Sequence, residues 1–117
     1  MPDLSTVVRG FLDECRIDYV GLWFPLVMLQ NAHLADETTG MRATLDMLGP
    51  LLASRQISVG QFTREPPGSD PPFIFHIWEM SAEDVIAKIE REWVALGHEP
   101  QLGEVAWFVD GPEWVSA

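Results

Sequence analysis

The sequence predicts an α+β fold: three helices, a β-hairpin with a long proline-rich tip, a fourth amphipathic helix and a short C-terminal strand. Three observations predict it. Apolar residues recur at the helical period in separate segments, most clearly from Ala82 to Leu96. From Gln56 to Thr63 the pattern changes to period two, and a run of β-formers, Phe73 to Trp78, follows a loop rich in proline. Ser81 and Gly97 bracket the clearest helical pattern with a start and a stop signal.

The first helix can be capped by Asp3 or Ser5. Leu4, Val7, Val8, Phe11, Leu12 and Cys15 then form one apolar stripe. Cys15 falls on that buried stripe, where a small core side chain is expected rather than a reactive thiol. Asp18 opens the second segment, Tyr19 to His33. Tyr19 to Phe24 fits a buried strand ending before Pro25, or the start of a helix kinked at Pro25. Segment length and the spacing of Leu22, Leu26 and Leu29 favour the helix. Asp36-Glu37-Thr38-Thr39 is a polar break, after which Met41, Leu45, Leu48 and Leu52 mark a third helix. Gly49-Pro50 should kink it or divide it in two, because Pro50 has no N–H for the Asp46 carbonyl.

In the hairpin, Ile57, Val59 and Gln61 alternate with Ser58, Gly60 and Phe62. The tip, Arg64 to Pro72, has Pro66, Pro67, Gly68, Pro71 and Pro72, which excludes regular structure. The fourth helix starts at Ser81, whose hydroxyl can accept from free first-turn N–H groups, with Glu83 and Asp84 at the positive end of the dipole. Ala82, Val85, Ile86, Ile89, Trp93 and Leu96 make its apolar face. Asp84 and Lys88 are spaced for an ion pair. Gly97 supplies a left-handed cap and Pro100 blocks continuation. Val105 to Val109 is apolar and returns to the core as a strand. Three helices followed by a hairpin is the order of winged-helix domains, with Arg64–Pro72 as the wing tip and the third helix in the recognition position.

A length of 117 residues suits a single domain, 1–117, and 47% hydrophobic content supplies a core. Cys15 is the sole cysteine, which fits a reducing compartment. Met1-Pro2-Asp3 has neither a basic nor an apolar leader region, and Tyr19–Leu29 is too short for a bilayer span. A soluble cytoplasmic protein without membrane contact is expected. Eighteen acids against seven bases give a net charge of −11. No Lys or Arg follows Arg91, while five acids do: Glu92, Glu99, Glu104, Asp110 and Glu113. Such a surface repels phosphate backbones and draws in basic partners.

The candidate chemistries are tested by their residues. A recognition helix would offer Arg42, Arg55 and Gln56 beside Asp46, and the wing only Arg64 beside Glu65 and Asp70. That is a poor footprint for nucleic acid. His33 with Asp36, His76 with Glu79, and His98 with Glu99 match no zinc spacing, so no metal is expected. No nucleophile elbow or phosphate loop occurs, and no cofactor or catalytic residue is assigned. What remains is an acidic surface with an aromatic anchor: Glu90, Glu92, Glu99, Glu104, Asp110, Glu113 and Trp114 are the candidate partner contacts.

Ile89-Glu90-Arg91-Glu92-Trp93, then Leu96-Gly97, Pro100, Gly103 and Trp107-Phe108, resemble the ending of a group of small, acidic, uncharacterised bacterial proteins. Asp18 to Trp23 resembles their helix-rich opening, so the likeness spans Asp18 to Phe108. In size and charge the chain is also similar in type to immunity proteins that neutralise bacterial toxins. The leading expectation is a non-enzymatic protein-binding module, an immunity-like inhibitor of a basic toxin or nuclease. The alternatives are a degenerate winged-helix regulator binding nucleic acid as a homodimer, and an enzyme with an unrecognised pocket.

Overall fold

The order of elements follows from where the chain places its caps. In the computed structural model, which describes residues 3–101 and 103–111, these elements are α1 (Leu4–Ile17), β1 (Val20–Gly21), α2 (Trp23–Asn31), α3 (Gly40–Ala53), β2 (Ile57–Arg64), β3 (Phe73–Ile77), α4 (Ala82–Leu96) and β4 (Trp107–Asp110). The fold is α+β, and apart from the extra strand β1 its helix and strand order is the one expected from the sequence. Asp3 caps α1 by accepting from the Thr6 N–H at 2.9 Å. Ser81 caps α4 by accepting from the Asp84 N–H at 3.1 Å, and Gly97 ends it at φ +74°. None of the helices among the described residues is long and apolar enough to cross a membrane.

The strands form one antiparallel sheet in the order β1-β4-β2-β3. β4 is therefore internal, hydrogen-bonded between β1 and β2, with Phe108 opposite both Val20 and Val59. Phe108 is fully buried and meets Phe11 of α1 edge to face at 5.8 Å. The helices cover this side. α3 packs between α2 and α4, and Leu45, Leu48, Ile89 and Trp93 share the core with Leu26 and Leu29. The opposite side of the sheet carries a second, half-buried aromatic cluster. There Phe62 and Phe75 face each other across β2 and β3 at 5.1 Å, with Tyr19 at 4.7 Å and Trp107 at 5.6 Å from Phe62.

Four local expectations are corrected. The segment expected as one helix from Tyr19 to His33 begins as β1, because Val20 and Gly21 are drawn into the ladder beside β4. α2 starts only at Trp23. Asp18 ends α1 rather than capping α2. Pro25 then lies in the first turn of α2, where its missing N–H has no helical partner to lose. α3 runs as one helix through Gly49 and Pro50, so the division into two helices does not occur. Lys88 pairs with Glu92 instead of Asp84, and its ammonium lies 4.8 Å from the centre of the Trp78 ring.

The return to β4 is strained. Val105 has φ +68°, a left-handed conformation that a β-branched residue rarely adopts. The Ala106 N–H donates to the Glu104 carbonyl across it at 2.8 Å, a γ-turn bond. The Gln61 amide donates to the Val105 carbonyl, tying this turn to β2.

Candidate functional site

Two helix ends, the start of α3 and the end of α4, meet and leave a groove. One is the start of α3. Asp36 Oδ1 accepts from the N–H groups of Thr38 at 2.8 Å and Thr39 at 2.9 Å, and the Thr39 hydroxyl accepts from the Asp36 N–H at 3.0 Å. This reciprocal arrangement fixes the 36–39 turn. The Thr39 N–H, the Thr39 hydroxyl and the Thr38 N–H, in that order, hold the Asp36 carboxyl below the usual carboxylate range. Gly40 packs against the Leu26 side chain, and a Cβ there would require that side chain to shift. The other end is the last turn of α4, closed by the left-handed Gly97.

The groove between them has a volume of about 380 Å³. Leu26, Met41, Trp93 and Val94 form its apolar floor, and Glu37 and Glu99 bring carboxylates to it. His98 lines it too, whereas no lysine or arginine does. The His98 Nδ1 lies 2.8 Å from the Glu99 carbonyl, an atom that can only accept, so Nδ1 carries the proton. That turns Nε2 toward Glu104, 3.8 Å away. Glu104 is itself held by accepting from the Gln101 N–H at 2.8 Å, and Glu99 accepts from the Gln30 amide at 3.2 Å. No serine or cysteine lines the groove, and no group of three or more metal-ligating side chains occurs among the described residues.

The structure separates the acids that the sequence grouped. Glu99 and Glu104 converge on the His98 turn beside the groove. Glu90 lies one turn before Val94, but its carboxylate is bound by Arg42 of α3 at 3.1 Å. Glu92 is paired with Lys88 on the side facing Trp78. Asp110 stands half-buried at the end of β4, opposite Ile57. Glu113 and Trp114 lie outside the described residues. Glu37 joins the site although sequence reasoning passed over it, and Trp93 serves it from the core. The end of α4 was legible as a glycine cap and the start of α3 as a polar break, but their meeting is a tertiary event that no local pattern records.

α3, the helix that a nucleic-acid reading would put forward, is packed between its neighbours. Its Arg42 is held by Asp46 at 3.5 Å as well as by Glu90. Arg64, near Glu65 and Asp70 in sequence, makes no ion pair with a described residue. No protein-family model matches the chain, and comparison with curated proteins and with solved structures finds no similar protein.

Proposed function

We propose that the chain is an acidic protein-binding module and that its groove receives a basic segment of a partner protein. One observation carries this reading: an apolar floor of Leu26, Met41, Trp93 and Val94 lies beside the carboxylates of Glu37 and Glu99, with no lining cation. A lysine or arginine side chain matches that profile, since its stem is apolar and its head is charged. The net charge of −11 adds long-range attraction for a basic partner. Immunity-like inhibition of a basic toxin or nuclease, in a bacterial cytoplasm, is the form of this reading that the charge and size suit best.

The test is titration with short peptides that place arginine or lysine beside an apolar residue, followed by amide chemical shifts. Shifts should centre on Glu37, Met41, Val94, His98 and Glu99, and should weaken as salt is added. Combining Glu37→Lys with Glu99→Lys should abolish them. Shifts scattered over the surface, or binding that survives both reversals, would remove the groove from consideration.

A further inference from the structure

A second surface lies away from the groove, at the outer edge of the sheet. β3 is the last strand, and among the described residues nothing pairs with its outer side. The bonds beyond each end of its ladder with β2 fix which peptide groups face outward. The Trp78 N–H donates to the Val59 carbonyl at 2.9 Å and the Glu65 N–H to the Pro72 carbonyl at 2.8 Å. Peptide groups alternate along an antiparallel pair. Ile74 and His76 therefore turn theirs toward β2, and Phe73, Phe75 and Ile77 turn theirs toward solvent.

We infer that this edge joins two copies of the chain, paired antiparallel about a two-fold axis at Phe75. In that register Phe75 meets Phe75 of the second copy and Phe73 meets its Ile77. Every outward N–H and C=O of the three residues is then used, and the contact is the same from both sides, as a two-fold interface requires. Side chains agree with the backbone. Phe73, which is 51% exposed, would cover an Ile77, and the two aromatic clusters would become continuous.

Charge selects the same surface. Two bodies each at −11 repel, and from Pro71 to Trp78 the chain carries no Asp, Glu, Lys or Arg. At each end of the joined strands Arg64 of one copy would approach Glu79 of the other, with Glu65 and Asp70 also nearby. Neither Arg64 nor Glu79 has an ion pair among the described residues. The balance is repulsive over the whole molecule, so added salt should strengthen the dimer, the reverse of its effect on a basic ligand. Five paired residues span roughly 17 Å, which puts the contact at the small end of interfaces and makes association weak.

Sedimentation velocity and amide exchange on the intact chain test this. The sedimentation coefficient should rise with concentration toward about 1 mM, the range of weak association, and rise further with salt. Exchange at Phe73, Phe75 and Ile77 should slow as concentration rises, while Ile74 and His76 stay slow throughout. Phe73→Pro removes one outward N–H without touching the bonds to β2, and should leave a monomer. A chain that stays monomeric at about 1 mM overturns the proposal. So does association that leaves exchange at Phe75 and Ile77 unchanged, or a folded Phe73→Pro protein that still dimerises. If Phe73→Pro does not fold, the exchange of the unmodified chain decides alone. These outcomes are independent of the groove, whose peptide binding can fail while the edge pairs.

Discussion

Trp93 is the residue on which fold and groove both depend, and truncating it separates their energetics. Its side chain is 5% exposed, packed in the core on one side and forming the groove floor on the other. A buried indole removes roughly 200 Å² from water. At about 25 cal/mol per Å² this sets a ceiling of about 5 kcal/mol. A fully enclosed site would add a cavity term on truncation. Here the vacated space opens into the groove, so water can enter and that term is small. Trp93→Ala should therefore cost about 3 kcal/mol, the lower end for such truncations, and Trp93→Phe about 1 kcal/mol. Urea unfolding measures both, read as a shift in midpoint at constant slope. A cost below about 1 kcal/mol for Trp93→Ala would mean that the ring is not core and that the apolar face of α4 is misassigned.

Ser81→Ala removes the acceptor for the Asp84 N–H and should cost about 1 kcal/mol in the same assay, with Ser81→Asp restoring most of it. Gly60→Ala should cost 2 kcal/mol or more, about what overpacking costs, because a Cβ there would overlap the His76 carbonyl and β2 cannot retreat from β3. The Cys15 thiol is pushed from 9.0 to about 12, first by burial and then by the charges of Asp110 and Glu14. It should resist alkylation in the folded chain and react on unfolding. The neutral thiol is the form the fold prefers. Its contribution to stability should hold below pH 9.0 and fall as pH rises toward about 12, an effect absent from Cys15→Ala.

Elements with their own caps were legible, and those defined by a distant strand were not. α1, α3 and α4 carry an apolar stripe together with a start signal, so each forms from information within its own span. β1 is the opposite case. Val20 and Gly21 have no strand identity until β4 arrives beside them, and without it the same residues read as the start of α2. β2 shows why alternation fades on an internal strand. Ile57, Ser58, Val59 and Gly60 are all buried, and Ser58, on the face opposite Ile57 and Val59, is satisfied there by donating its hydroxyl to the Gly111 carbonyl at 3.1 Å. The acidic site was half legible for a related reason. Composition gave the sign of the charge. The Lys88–Glu92 pair is an i,i+4 contact within α4 that spacing alone allows, whereas only tertiary structure shows that Arg42 of α3 already occupies Glu90.

That pairing has a consequence for binding. Glu90 sits one turn before Val94, which lines the groove, and a basic ligand that extends from the groove to Glu90 must compete with Arg42 for it. Both partners are substantially exposed, so the pair contributes little to stability, about 0.2–1 kcal/mol for contacts of this kind. Removing the arginine should leave the fold nearly unchanged while freeing the Glu90 carboxylate one turn from Val94. Arg42→Gln is therefore expected to tighten basic-peptide binding by up to about fivefold, the affinity equivalent of the released interaction. Arg42→Gln combined with Glu90→Gln should lose that gain. Calorimetric titration of the single and double variants resolves it. An unchanged or weaker affinity in Arg42→Gln would show that the ligand does not pass near Glu90, and would confine recognition to Glu37 and Glu99.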